Sequence, residues 1–233
     1  MYQVRKSEER GRTSIPQLEA LHSFAYADYY DPNHASFGTL RVLNEDWLEQ
    51  GGSLQEHQHI NMEILTYVVE GTLLHLDSMG NKELLRAGDF QVMSSGSGIA
   101  HSEANASTED SVHFFQIWLS PKRFETDPSY QQLNNKTFKH QDNWSLLASA
   151  DGHDDSLQLH QDASVYVAKI PAEESLPFDG NASHQYWLQV VTGQITVGKY
   201  KLSKGDGIAI KEENGFCISA IERSEVLLLD LLS

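Results

Sequence analysis

Two short motifs place metal-binding side chains two residues apart. The first is Glu56-His57-Gln58-His59 and the second is His101-Ser102-Glu103. In a β-strand, residues two apart point to the same face, with their Cα atoms about 6.6 Å apart. Each motif therefore predicts a pair of side chains that can converge on one ion. On facing strands, the two pairs supply three imidazole nitrogens and one carboxylate, a donor set typical of transition-metal sites with an open coordination position.

Other ionisable residues are weaker candidates for this site. The chain has 11 histidines, so a single H-x-H pair could arise by chance, whereas two matched pairs are more informative. Glu63 stands six residues after His57 and is an alternative carboxylate, but only if the strand stays regular between them. We expect His75, His113 and His160 to be structural. No metalloprotease, nucleophile-elbow or phosphate-loop motif is present in the sequence.

The rest of the chain has the pattern of short strands rather than of helices. Apolar or alternating runs rich in Val, Ile, Thr, Tyr and Phe are separated by Gly, Asn, Asp or Pro. This pattern predicts an all-β sandwich or barrel, with short helices only in the polar middle, around Phe124–Leu147. Examples of the predicted strands are Ile64–Glu70, Thr72–Asp77, Lys82–Leu85, Phe90–Met93, His113–Leu119, Ser164–Ile170, Tyr186–Val191, Gln194–Val197 and Val226–Leu231.

The two halves of the sequence resemble each other. Tyr67–Leu73 matches Leu188–Ile195, and Leu85–Met93 matches Ser203–Ile210. In each half, a strand and a glycine turn are followed by a second strand and a Gly-Asp turn, where glycine supplies positive φ without steric cost. The repeat predicts a duplicated β-domain.

We therefore predict an N-terminal domain over 1–121, a polar connector over 122–142 and a C-terminal domain over 143–233. The second domain is expected to be structural, because it lacks the donor set and the first domain holds the single metal site. The residues of the second half that correspond to the four ligands can be counted from the matched glycines, if no gap intervenes. The counterparts of His57, His59, His101 and Glu103 are, in this order, Asp179, Asn181, Ile218 and Ala220.

The composition excludes several classes of function. The chain has 33 acidic and 17 basic residues, a net charge of −16, and no basic cluster. Phosphate backbones and anionic membranes repel such a surface, so we expect neither nucleic acid nor a membrane as a partner. The first residues lack the apolar segment of a secretory signal, which predicts a cytoplasmic protein. The single cysteine, Cys217, stands in an apolar run and is expected to be buried.

On these motifs the chain resembles the pirin family of the cupin superfamily over nearly its whole length. The resemblance implies a bicupin fold, with two double-stranded β-helix barrels of which the N-terminal one is active. It also implies that the metal ligands are the H-x-H and H-S-E residues, which are His57, His59, His101 and Glu103 here. The family usually has Pro and a basic residue where this chain has Gln58 and Ile60. The resemblance is carried by Leu21–Pro32, Leu40–Asp46, His57–Tyr67 and Gly88–Glu103.

The resemblance further implies a metal-dependent dioxygenase similar to bacterial quercetin 2,3-dioxygenases. The expected cofactor is one divalent transition metal, most simply Fe(II), with Ni, Cu, Mn or Zn as alternatives. The substrates would be a quercetin-like flavonol and dioxygen, and carbon monoxide would be released. Glu103 is the candidate general base, because it is the ligand that can also accept a proton. Phe24 and Phe115 are candidates for a pocket that holds a flat aromatic substrate, although core positions suit them equally well.

Two other functions fit the same residues. In the first, the chain is a non-enzymatic redox sensor or regulator that acts through a protein partner. Some pirin relatives resemble such regulators. In the second, it is a cupin that acts on another small molecule.

Overall fold

The computed structural model describes residues 1–135 and 144–232. The helices among them are three single 3-10 turns at Ser7–Glu9, Pro32–His34 and His153–Asp155, so the expected all-β fold with few short helices is confirmed. Short helices were expected around Phe124–Leu147, but the described part of that range forms the strands Ser129–Leu133 and Ser145–Ser149. Residues 136–143 of the range lie outside the described residues. Among the described residues, no helix is long and apolar enough to cross a membrane.

The first half of the chain contains twelve strands. Most are four to nine residues long and alternate between two faces. They are β1 (Tyr2–Arg5), β2 (Gly11–Ile15), β3 (Leu18–His22), β4 (Leu40–Leu48), β5 (Ser53–His59), β6 (Glu63–Glu70), β7 (Thr72–Asp77), β8 (Lys82–Arg86), β9 (Phe90–Ser94), β10 (Ile99–Asn105), β11 (Val112–Leu119) and β12 (Ser129–Leu133).

The second half contains ten strands within its described residues. They are β13 (Ser145–Ser149), β14 (Leu157–Gln158), β15 (Ala163–Ile170), β16 (Ser175–Asp179), β17 (His184–Thr192), β18 (Gln194–Val197), β19 (Tyr200–Ser203), β20 (Gly207–Lys211), β21 (Gly215–Ala220) and β22 (Ser224–Leu232).

Each half forms a barrel from a seven-stranded and a four-stranded sheet. The first barrel has the strand orders β12-β9-β6-β11-β4-β3-β2 and β5-β10-β7-β8. The second has the orders β1-β20-β17-β22-β15-β13-β14 and β16-β21-β18-β19. The four-stranded sheets therefore correspond, and in the first barrel this sheet carries both metal-binding motifs.

The largest apolar core joins the two barrels. It contains Leu43 and Leu65 from the first seven-stranded sheet together with Leu227 and Leu229 from the second. Because side chains alternate along a strand, the residues between these point into their own barrels. One face of each large sheet thus holds the barrels together, and the other face lines a barrel interior.

The Gly-Asp turn of the sequence repeat has the same geometry in both barrels. Gly88 has φ of 85° and Gly205 has φ of 83°, values that glycine tolerates best. The N–H of Gly88 donates to the carbonyl oxygen of Val68 at 2.7 Å, and that of Gly205 donates to Val190 at 2.9 Å. The repeated residues therefore build equivalent turns.

Strands near the predicted domain limits pair across them. β1 lies within the predicted N-terminal domain, yet it pairs with β20 of the second barrel. β12 lies within the predicted connector and pairs with β9 of the first barrel. Residues 136–142 of that connector, and residue 143 at the start of the predicted second domain, lie outside the described residues, as does residue 233 at its end.

All nine predicted strands lie inside observed strands and end within two residues of them. The expectation of a buried cysteine is wrong, because Cys217 is exposed. In β21 the side chains alternate, so Phe216 and Ile218 are buried while Cys217 points outward.

Candidate metal centre

The two metal-binding motifs lie side by side in the first barrel. β5 carries His57 and His59, and it pairs antiparallel with β10 so that His57 lies opposite His101. The register shifts between His101 and Glu103, and Glu103 lies opposite Leu54. Such a β-bulge is common beside active sites because it redirects the neighbouring side chains.

Three imidazoles converge across these strands. The Nε2 atom of His101 lies 3.1 Å from Nε2 of His59 and 3.2 Å from Nε2 of His57. His101 is 1% exposed and His59 is 9% exposed, whereas His57 is half-buried. The cluster therefore lies inside the barrel but is accessible on the side of His57.

The protonation states of these rings favour metal binding. Nδ1 of His57 lies 2.8 Å from the carbonyl oxygen of Gln55. Because a carbonyl can only accept, Nδ1 donates its hydrogen and Nε2 of the neutral ring keeps its lone pair. Burial, followed by His57, lowers the pKa of His59 to about 4. Burial, together with the neighbouring imidazoles, lowers the pKa of His101 to about 2, so both rings are neutral at pH 7, as ligation requires.

Glu103 is buried on the same strand as His101. Its Oε2 atom accepts a hydrogen bond from Nε2 of Gln116 at 2.7 Å, while its Oε1 atom has no hydrogen-bond partner among the described residues. Burial raises the pKa of Glu103 to about 7, although hydrogen bonds from Gln116 and Thr66 oppose the rise. A buried carboxylate with a free oxygen and a pKa near neutrality is suited to bind a cation or to accept a proton.

The four predicted ligands fall into two overlapping groups. The ligand atoms of His57, His59 and His101 lie within 4.8 Å of one another, and those of His75, His101 and Glu103 form a second group with the same spacing. His101 belongs to both groups. The three histidines therefore lie close to one another, and Glu103 lies close to His101. A single site that uses all four ligands stays a prediction.

His75, which the sequence analysis expected to be structural, lies at this site beside His101 and Glu103. β7 pairs with β10 so that His75 lies opposite Glu103 and Asp77 lies opposite His101. Nε2 of His75 is 3.2 Å from Oδ2 of Asp77. The signal that could have found it is the spacing, since His75 and Asp77 stand two residues apart on one strand, as in the other two motifs.

The structure places Glu63 outside the barrel interior. Its Oε2 atom accepts hydrogen bonds from Oγ of Ser94 at 2.8 Å and from the backbone N–H of His160 at 3.1 Å. Asn61 has φ of 54° and interrupts the strand after His59. In a regular strand, a residue six positions after His57 would lie on the same face as the histidines. Because the strand is interrupted, Glu63 does not lie on that face.

The aromatic pair expected to hold a substrate also lies elsewhere. Phe24 is 2% exposed, Phe115 is 0% exposed, and both belong to the core between the barrels. The physical reason is the alternation along β11, which turns Phe115 toward the second barrel and Gln116 toward Glu103. These positions correct the expectation that the two rings flank the metal centre.

Other aromatic rings flank the histidines instead. The ring centroid of Trp118 lies 4.8 Å from that of His59 and 5.6 Å from that of Tyr26. On the other side, Tyr130 stacks on His75 with the centroids 4.7 Å apart. All three aromatic side chains are half-buried, so they form a wall that a ligand entering the barrel would contact.

Within its described residues, the second barrel has no comparable cluster. β16 and β21 pair as β5 and β10 do, but neither contains a histidine. Phe178, Phe216 and Ile218 belong to an apolar core there. Ile218 lies opposite Leu176 rather than Asp179, so the gap-free matching of the two halves fails at this pair of strands.

The donor set fits a divalent transition metal. Neutral imidazoles and one carboxylate are donors that such ions prefer, and Glu103 offers a buried oxygen that no protein donor occupies among the described residues. Two β-barrels, with a histidine centre in the first and an apolar interior in the second, define a bicupin protein.

The chain belongs to the pirin family. The family profile described as Pirin matches residues 3–119, and the one described as Quercetinase C-terminal cupin domain matches residues 146–231. The resemblance inferred from the sequence motifs, and the bicupin fold that it implied, are thereby confirmed.

Relatives match along nearly the full chain. A protein named quercetin 2,3-dioxygenase from Escherichia coli strain K12 is 43% identical over 231 residues, which cover 99% of each chain. A pirin-like protein from Caulobacter vibrioides is 39% identical over 217 residues, 91% of this chain and 92% of that one. The crystal structure of the bacterial pirin YhhW from E. coli in complex with nickel(II) has a TM-score of 0.94 at 43% identity, covering 100% of this chain and 99% of the other.

Proposed function

We propose that this chain is a metal-dependent oxidoreductase that cleaves a quercetin-like flavonol with dioxygen and releases carbon monoxide. The observation that carries the proposal is the cluster of three imidazoles beside the buried carboxylate of Glu103. The relatives named quercetin 2,3-dioxygenase support the choice of reaction, since one is 43% identical along the whole chain.

We propose one divalent transition metal per chain, held by His57, His59, His101 and Glu103. Fe(II) is our first choice. Ni(II) is the second, because a relative of similar sequence forms a nickel(II) complex. Cu, Mn and Zn accept the same donors. When bound, the metal would lower the pKa of a coordinated flavonol hydroxyl and make the resulting enolate available to dioxygen.

The residues around the cluster have separate roles in this reaction. Glu103 would accept the proton of the flavonol hydroxyl, since it is the ligand of the four whose carboxylate can also act as a general base. Gln116 holds Oε2 of Glu103 at 2.7 Å and leaves Oε1 for the proton. Trp118, whose indole N–H donates to Oε1 of Gln116 at 3.1 Å, would orient the flat substrate.

An apolar cluster packs against two of the aromatic rings that flank the histidines, Trp118 and Tyr130. Ile64, Met93 and Ile99 form this small buried cluster, and Met62 also packs against it. Apolar side chains beside polar metal-binding groups favour an aromatic substrate.

The proposal is tested by aerobic incubation of quercetin with the protein loaded in turn with Fe(II), Ni(II), Cu(II), Mn(II) and Zn(II). We expect loss of flavonol absorbance together with carbon monoxide release for at least one metal. The variant His57→Ala should abolish both signals. The matched control His184→Ala removes a histidine of the second barrel and should leave turnover unchanged.

Two outcomes would contradict the proposal in different ways. Binding of a metal without turnover for any of the five ions would reject the dioxygenase and favour the regulatory alternative. Turnover that survives His57→Ala and His101→Ala would reject the cluster as the active site.

A further inference from the structure

A second candidate binding site lies between the two barrels. A cavity of about 190 Å³ opens where β1 joins the sheet of the second barrel. Its lining includes three basic side chains, Arg5, His34 and Lys211, and three aromatic ones, Phe24, Phe37 and Trp187. None of these six residues belongs to the histidine cluster of the first barrel.

Arg5 is buried in the wall of this cavity and is incompletely partnered. It is 4% exposed. Its Nη2 atom donates to the hydroxyl of Tyr29 at 2.6 Å, and Nη1 lies 3.5 Å from Oδ2 of Asp31. Its Nε–H is buried and has no hydrogen-bond partner among the described residues. A buried guanidinium with an unused donor is costly unless an acceptor reaches it.

The cavity carries an excess of positive charge. Asp31 is shared between Arg5 and His34, whose Nδ1 atom lies 2.8 Å from its Oδ2. Nζ of Lys211 lies 4.9 Å from the ring centroid of Phe37, and no carboxylate of the described residues forms an ion pair with it. One acid thus faces two fixed cations and a histidine, although the whole chain has a net charge of −16.

The remaining wall is a set of aromatic rings. The centroid of Trp187 lies 4.8 Å from that of Phe24 and 5.7 Å from that of Phe37. The planes of both pairs are inclined by 57°, so the rings form a corner rather than a stack. Such a corner contacts a flat molecule on its face and its edge.

We propose that this cavity binds a small aromatic carboxylate, with the ring against Trp187 and Phe37 and the carboxylate toward Arg5 and Lys211. The volume of about 190 Å³ is below that of pockets for drug-sized ligands, which suits a single-ring molecule. Arg5 and Lys211 supply the charge-assisted hydrogen bonds that a carboxylate requires. The inference does not depend on the metal centre or on its reaction.

The test is calorimetric titration of the full chain, stripped of metal by a chelator, with benzoate, benzamide and inorganic phosphate. Benzamide has the shape of benzoate without its charge, and phosphate has the charge without the ring. We expect benzoate to bind with one-to-one stoichiometry and each of the other two to bind at least about tenfold more weakly.

Variants then locate the binding site. Lys211→Gln removes one cation from a half-buried position and should weaken benzoate binding about tenfold, while Lys211→Arg should retain it. Lys201→Gln removes an exposed lysine of the neighbouring small sheet and should have no effect. His101→Ala should also leave benzoate binding intact, because the carboxylate does not bind at the histidine cluster.

Several results would overturn the inference. They are the absence of benzoate binding, equal binding of benzoate and benzamide, equal binding of phosphate and benzoate, and equal benzoate affinity in wild type and Lys211→Gln. Loss of benzoate binding in His101→Ala would also overturn it, since it would assign the carboxylate to the first barrel.

Discussion

The imidazole rings of His75 and His101 lie 5.5 Å apart, centre to centre, and the Nδ1 atoms of both are buried without a hydrogen-bond partner among the described residues. The carboxylate of Asp77 can only accept, so Nε2 of His75 donates to it and Nδ1 of the neutral ring keeps a lone pair. His101 directs Nε2 toward the cluster and therefore carries its hydrogen on Nδ1. His75 thus keeps an unused nitrogen beside His101 and Glu103, whose ligand atoms lie within 4.8 Å of its own.

This relationship predicts that His75→Phe weakens metal binding about 10- to 100-fold, because phenylalanine removes a nitrogen that lies among the candidate ligand atoms of His101 and Glu103. Phenylalanine keeps the stacking on Tyr130, so the barrel should still fold. The measurement is Ni(II) affinity by competition with a chelating dye. His184→Phe, in the second barrel, is the matched control and should bind Ni(II) as the wild type does. Equal affinity in His75→Phe and wild type would contradict the role given to His75.

Glu103→Gln should separate proton transfer from metal binding. Glutamine has the same shape but cannot accept the substrate proton, so we expect kcat to fall about 10²- to 10⁴-fold. Metal content should fall less than in His57→Ala, and it is measured on the same samples by elemental analysis. Glu63→Gln is the control, because Glu63 faces the second barrel and should not change kcat. Full activity in Glu103→Gln would exclude Glu103 as the base.

Trp118→Ala should raise KM for quercetin about tenfold while Ni(II) affinity stays the same. The indole lies beside His59 and is placed to contact substrate, and a lost aromatic contact of this kind costs on the order of 1 kcal/mol. Trp144→Ala removes another half-buried tryptophan, in the second barrel, and should leave KM unchanged. Steady-state kinetics on both variants makes the comparison, and an unchanged KM in Trp118→Ala would move the substrate to another wall.

Local sequence patterns were sufficient to place nine strands, which all lie inside strands of the described residues. β7 and β18 match their predicted bounds, since each is a short alternating run between turn residues. β1 and β12 were missed because their pairing partners, β20 and β9, are distant in sequence. Such partners are decided by packing, which a local pattern does not contain.

The same distinction applies to the site. The i, i+2 spacing predicted that His57 and His59 share a face, and so do His101 and Glu103. The spacing of His75 and Asp77 indicates that they share a face, but the register between β7 and β10 that brings His75 opposite Glu103 is not contained in one strand. Phe115 was a pocket candidate from its residue type and Glu63 an alternative carboxylate from its offset, whereas strand alternation and the positive φ of Asn61 turn them to the other barrel.

Stability should depend on pH through the buried ion pair between Arg10 and Glu45, which joins Nη2 to Oε2 at 2.6 Å with both side chains 1% exposed. Burial alone would raise the pKa of Glu45, but the hydrogen bond from His113 and the charge of Arg10 outweigh it and hold the pKa below the ordinary value of 4.5. The contribution of Glu45 is therefore present above pH 4.5 and is lost as the pH falls through the lowered pKa.

We expect Glu45→Gln to destabilise the protein by about 3–5 kcal/mol at pH 7, because it leaves the buried guanidinium of Arg10 without its charge partner. The difference from wild type should shrink as the pH falls below 4.5, since the wild-type carboxylate then becomes protonated as well. Urea unfolding followed by tryptophan fluorescence measures the difference at each pH, with the exposed Glu222→Gln as control. A difference that stays constant from pH 7 down into the acid range would show that Glu45 contributes packing rather than charge.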